Sequence, residues 1–174
     1  MSRQSAVIVR IRLPEPLDRL RHRHDPLAAR GVPGHVTLVV PFVPDDRLTP
    51  AVRRSLAGIA GAVAPFDVRF EDVGRFPGVI WLAPDPAEPF RDLTERIVAA
   101  FPGHPPYEGR HDEIVPHLTI GLGEERELDR LEREIAVRPA FGATVRALEV
   151  IAEDDTNRWR RRWQIPLGAA VVRP

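Results

Sequence analysis

The sequence predicts an α+β fold in which two similar lobes, each an antiparallel sheet with helices outside, face one another within one bilobal domain over residues 1–174. Three observations predict it. The run His35-Val36-Thr37-Leu38 returns 82 positions later as His117-Leu118-Thr119-Ile120. Each copy is followed by a helical pattern, a long alternating segment, a turn signal and a returning strand, so a supersecondary unit occurs twice. No linker-like or low-complexity tract separates the two.

Ser5 to Leu13 alternates as a strand, with Val7, Val9 and Ile11 on one face, until Pro14 and Pro16 stop it. Glu15 to Arg30 carries Leu17, Leu20, Leu27 and Ala28 at helical spacing and is interrupted at Pro26, which cannot continue the backbone ladder. Gly31, Pro33 and Gly34 form the loop into the first His strand, which Pro41 and Pro44 end. Thr49 with Pro50 reads as a helix N-cap followed by its first residue. That helix turns Val52, Leu56, Ile59 and Val63 inward and ends before Pro65. Phe66 to Phe76 is the long strand, Pro77-Gly78 the turn, and Val79 to Leu82 the return.

In the second half, Pro89 to Phe101 is an amphipathic helix and residues 102–113 are a polar loop. Val115 to Leu122 is the second His strand. Glu124 to Val137 is a charged helix burying Leu128, Leu131 and Ile135, with opposite charges at i,i+4. Phe141 to Ala152 and Arg158 to Leu167 are the last two strands, joined by a turn.

Composition narrows the chemistry. Hydrophobic residues make up 43% and charged residues 29%, ordinary for a globular protein, and net charge is zero, so no global field would draw in nucleic acid. Cysteine is absent, which excludes thiolate metal sites and cysteine nucleophiles. All 25 basic residues are Arg. Without Lys there is no phosphate-loop lysine, no Schiff base and no lysyl-nucleotide intermediate. Ser2, Ser5 and Ser55 stand in no nucleophile-elbow pattern. His, Thr, Tyr, Arg and carboxylates remain. Neither a leader pattern nor an apolar run of about 18 residues is present, so a cytoplasmic, monomeric protein with no membrane partner is expected.

The repeated motif holds the candidate site. Strand side chains alternate, so each His shares a face with its own Thr while the aliphatic residues between them enter a core. His22 and His24 diverge on a helix, and His104 and His111 read as solvated loop residues. Tyr107 and Arg110 could reach a phosphate from the polar loop. Trp159, Arg161 and Trp163 would share a strand face able to stack a base and hold an anion. Phe42 and Trp81 read as core.

With those residues in view, the chain resembles the 2H phosphoesterase superfamily, whose signature is two His-x-(Thr/Ser)-apolar motifs. It is most similar to the branch named after 2′-5′ RNA ligase and cyclic phosphodiesterases. HVTL and HLTI carry the resemblance, together with the opening strand, the Val79–Leu82 strand, and the closing pattern from Trp159 to Gly168. It implies two sheets forming a cleft, catalytic roles for His35 and His117, phosphate-binding roles for Thr37 and Thr119, and no cofactor or metal. The implied substrate is a cyclic phosphate or a 2′-linked nucleotide or RNA end; the alternative is a nucleotide- or RNA-end-binding module with little turnover. One departure stands out: family members carry an Arg near Leu122, where this chain reads Gly121-Leu122-Gly123.

Overall fold

The computed structural model describes residues 3–109 and 114–168. Eight strands form one antiparallel sheet: β1 (Ser5–Arg10), β2 (His35–Val39), β3 (Phe66–Phe76), β4 (Val79–Asp85), β5 (Leu118–Leu122), β6 (Phe141–Val145), β7 (Ala147–Glu153) and β8 (Trp159–Pro166). Their order is β6-β3-β4-β5-β2-β1-β7-β8. The two expected lobes are its halves, joined at the centre where Val36 of β2 pairs with Leu118 of β5.

The halves are interlocked. The β3–β4 hairpin that follows the first His strand pairs beside β5, the second His strand. The β7–β8 hairpin that follows the second His strand pairs with β1, beside the first. The second motif strand, β5, is therefore flanked by β4 and β2 of the first half, and the first, β2, lies between β1 and β5. The segment from Phe141 to Ala152, predicted as one strand, is two. It breaks at Arg146, leaving β6 on β3 and β7 on β1, so the chain changes lobes in the middle of an apolar run.

Five helices cover the sheet: α1 (Glu15–His24), α2 (Pro26–Ala29), α3 (Pro50–Gly61), α4 (Glu88–Ala100) and α5 (Glu125–Ala136). Asp25 divides α1 from α2, its side chain accepting from the Leu27 N–H and leaving Pro26 at the first position of the new helix. Thr49 caps α3 as predicted, accepting from the Val52 N–H at 3.4 Å. The α4 helix buries Phe90, Leu93 and Ile97, and α5 buries Leu128, Leu131 and Ile135. Helices α1 and α4 cross over to lie on β5 and β2 respectively. The acids of α5 do not pair within their helix as predicted. Glu125, Asp129 and Glu132 converge on Arg75 of β3, pinning helix to sheet.

The principal core runs through both halves and includes Val7, Val9, Ile11, Val36, Leu38, Leu118 and Ile120, all buried. A smaller cluster of Ala6, Ile8, Val32 and Ile151, with Trp159 against it, occupies the other face of β1 and β7. Among the described residues no helix is long and apolar enough to cross a membrane.

Candidate active site

His35 opens β2, and the alternation that buries Val36 and Leu38 sends His35 and Thr37 to the opposite face. His117 stands one residue before β5, because Pro116 has no N–H to extend the ladder. Leu118 and Ile120 are buried, and Thr119 points away from them. Antiparallel pairing about Val36 and Leu118 then sets His35 across from Thr119, and Thr37 across from His117. All four line one cavity of about 260 Å³, together with Tyr107 and Trp159. Its remaining wall is largely apolar, including Ile8, Phe76, Val79, Leu122 and Ile151. Strands from β8 across to β3 share this lining, so the sheet curls around it.

Both imidazoles are held by the same device. The His35 Nδ1–H donates to the Pro33 carbonyl at 2.8 Å and the His117 Nδ1–H to the Val115 carbonyl at 2.7 Å. A carbonyl only accepts, so the proton of each neutral ring sits on Nδ1 and Nε2 keeps a free lone pair. Burial disfavours the charged ring and lowers His35 to about 4, partly offset by the Pro33 carbonyl. Burial also lowers His117, again opposed by its backbone carbonyl.

The surroundings of the two rings differ. Behind His35 lies an ion pair between Arg21 and Asp25, 2.8 Å apart and almost wholly buried. Arg21 also donates to the Val32 carbonyl at 2.9 Å, bracing the loop whose next residue, Pro33, holds the His35 ring. Asp25 itself lines the cavity. His117 instead packs perpendicular to the Phe76 ring, centres 5.1 Å apart, and lies 5.9 Å from Trp81. Trp81, read as core from sequence, lies over Gly74, where a Cβ would come within 2.2 Å of the indole. Phe42 is core as predicted, packed edge-on to Phe101.

Tyr107 enters from the loop. Its N–H donates to the Val40 carbonyl at 2.6 Å, and its phenol is hydrogen-bonded to Thr37. Burial pushes that phenol up, so it stays protonated near neutral pH. Arg110 and His111 lie outside the described residues. Trp159 lines the cavity, but the predicted common face of Trp159, Arg161 and Trp163 does not form. A bulge shifts the register between Val150 and Ile151, so Trp163 turns to the principal core. Arg161 is not among the cavity-lining residues; its guanidinium meets Glu149 at 3.2 Å. Sequence reasoning missed Arg21 and Asp25. The i,i+4 spacing of Arg21 and Asp25 was a signal, although such a pair is usually solvated.

Relatives give the arrangement its context. The chain is 34% identical over 107 residues to a Bacillus thuringiensis protein named "Putative phosphoesterase", and to its Bacillus anthracis counterpart. Those matches cover 60% of this chain and 59% of the relatives' length. The fold matches TT0787 of Thermus thermophilus at TM-score 0.64 and 19% identity, covering 96% of this chain and 99% of that one. It also matches E. coli LigT solved with 3′-AMP at TM-score 0.56 and 16% identity, covering 96% and 99% of the two chains. The family model described as the 2′-5′ RNA ligase superfamily matches residues 9–157, most of the sequence and both His motifs, and the chain belongs to that superfamily.

Proposed function

We propose that this chain, acting as one bilobal domain and a cytoplasmic monomer, is a metal-independent phosphodiesterase. Its substrate would be a cyclic phosphate or a 2′-linked nucleotide or RNA end. The observation that carries the reading is the meeting of His35, Thr37, His117 and Thr119 in one cavity of about 260 Å³. Hydrolysis forms one water-oxygen-to-phosphorus bond and breaks one ribose-oxygen-to-phosphorus bond. One imidazole removes a proton from water through Nε2; the other, protonated at Nε2, delivers one to the departing ribose oxygen. The Thr37 and Thr119 hydroxyls donate to the non-bridging oxygens as their charge grows, and the Tyr107 phenol orients the Thr37 hydroxyl. Because both rings are neutral in the empty site, the acid gains its proton as the anionic phosphate arrives and favours the imidazolium. With the hydroxyl of a second strand's ribose in place of water, the same proton transfers open a cyclic phosphate into a new phosphodiester, which is ligation without ATP; bulk water opposes it.

The test is turnover of 2′,3′-cyclic nucleotides, cyclic-phosphate RNA ends and 2′-5′ dinucleotides in the presence of chelator. Activity should persist in EDTA and fall by about 10²–10⁴-fold in His35→Ala or His117→Ala. Undiminished turnover in the double variant would overturn the proposal. Nucleotide binding without product after long incubation would favour a binding module instead.

A further inference from the structure

The same sheet face continues beyond the histidines into a second groove of about 440 Å³, and its chemistry is the reverse of the first. Two register pairs cross the boundary between them. Arg10 of β1 lies opposite His35, and Glu149 of β7 lies opposite Ile8. His35 and Ile8 line the apolar cavity, whereas Arg10 and Glu149 line the second groove. Residues directly opposite in an antiparallel pair project to the same side, with Cβ atoms roughly 5 Å apart. The two concavities are therefore neighbours on one surface, and the catalytic-motif histidine stands where they meet.

The second groove gathers positive charge. Arg10, the last residue of β1, and Arg12 beyond it are exposed while Ile11 and Leu13 go to the core, and Arg146 is the residue at which the chain changes lobes. All three are exposed, and no carboxylate pairs with any of them among the described residues. The carboxylate in the groove, Glu149, is buried and already met by Arg161 from the neighbouring strand. Exposed Gln164 adds a neutral amide, and the Thr144 hydroxyl, which donates to Asp67 at 2.6 Å, keeps its oxygen as an acceptor. By contrast, the described lining of the histidine cavity contains no Arg. On a chain whose net charge is zero, three unpaired arginines beside a largely apolar pocket form a local anion track.

We propose that this groove, built on Arg10, Arg12 and Arg146, binds the phosphodiester backbone of a single-stranded RNA whose terminal nucleotide occupies the histidine cavity. The inference rests on the function proposed above and narrows it: the preferred substrate is the end of an RNA chain, not a free mononucleotide. The arginines hold successive phosphates, while the Gln164 amide and the Thr144 oxygen, as an acceptor, meet ribose hydroxyls. Readout of this kind is independent of base sequence.

The test compares wild type with Arg12→Gln/Arg146→Gln, two exposed residues away from the histidines, after thermal melting shows both folded alike. A 5′-labelled RNA tetranucleotide ending in a 3′-phosphate is titrated by fluorescence anisotropy over a range of salt. Turnover of the matching cyclic-phosphate tetranucleotide and of a 2′,3′-cyclic mononucleotide is measured in parallel. Each lost phosphate contact lowers the log–log salt slope by about 0.7, so the double variant should be shallower by about 1.4. Its KM for the tetranucleotide should rise about tenfold or more, with mononucleotide turnover unchanged. Equal slopes in the two proteins would overturn the track, as would displacement of the RNA by polyglutamate of matched charge. If neither RNA is turned over, the catalytic reading fails, and the anisotropy slopes still decide the groove.

Discussion

His35 makes the protein sensitive to acid in a way that can be calculated and removed. Enclosure in the cavity holds its imidazole at about 4, against 6.5 for the free side chain. In the unfolded chain the same ring takes up a proton as pH falls through 6.5, whereas the native ring refuses it until about 4. Between those values the unfolded state binds more protons, so stability contributed above 6.5 is lost as pH falls. Integrating from about pH 7.5 to about pH 4.5 gives a loss of about 2.5 kcal/mol from this residue. The substitution His35→Asn removes the titration and retains an amide N–H able to reach the Pro33 carbonyl. Urea unfolding followed by tryptophan fluorescence at the two pH values should show wild type losing about 2.5 kcal/mol more than the variant. At a slope of about 2 kcal/mol/M this is roughly a 1 M difference in midpoint shift. Parallel pH dependence in the two proteins would refute the claim that this ring is kept neutral by burial.

Three further outcomes are expected. Because burial lowers both imidazoles, the bell-shaped profile of kcat/KM should peak on the acid side of 6.5 and decline through neutrality; initial rates from about pH 4 to about pH 9 check this. Asp25→Asn strands the buried Arg21 charge and should cost about 3–5 kcal/mol in urea unfolding, while Arg21→Met/Asp25→Leu together should cost far less. Gly121→Ala places a methyl 2.8 Å from the His24 Cβ and 2.6 Å from Leu131 Cδ2, forcing α1 or α5 away from β5. Calorimetry should record a loss of about 1–3 kcal/mol.

Much of this architecture could be read from the residues because local rules and the global fold agree. Thr49-Pro50, Pro77-Gly78 and the alternation of Phe66 to Phe70 each specify a local geometry that tertiary packing leaves intact, whereas a bulge between Phe70 and Val73, set by pairing with β4, turns Phe76 to the histidine cavity. The His-x-Thr repeat likewise needs only strand alternation to put its polar pairs on one face. What could not be read was whatever depends on partners distant in sequence. Phe141 to Ala152 alternates and is largely apolar, and nothing local says that its first half belongs to β3 and its second to β1. The bulge that turns Trp163 away from Trp159 arises from pairing with β7, not from the composition of β8. Arg75 gathers Glu125, Asp129 and Glu132 across a helix–sheet contact, which displaces the i,i+4 pairs that the α5 sequence suggests.

The two motifs are copies, yet acid–base catalysis needs their histidines to differ, and the difference is built outside the motif. Each ring has the same backbone acceptor two residues upstream. Beyond that, His35 is enclosed more deeply and has Arg21 nearby, which opposes a second positive charge, with Asp25 only partly countering it. His117 packs instead against Phe76 and Trp81, and burial opposed by the Val115 carbonyl, without a guanidinium, accounts for its lowering. Burial lowers both rings, but the larger displacement belongs to His35, so a single proton entering the empty cavity should reside on His117. ¹⁵N NMR of the imidazoles from about pH 3 to about pH 8 measures this directly: His117 should titrate first as pH falls, and His35 only near 4. Replacing the pair by Arg21→Met/Asp25→Leu should narrow the interval between the two titrations while His117 scarcely moves. Coincident titration in the wild type would mean that the copies are electrostatically equivalent, and the division of labour would then have to come from the substrate alone.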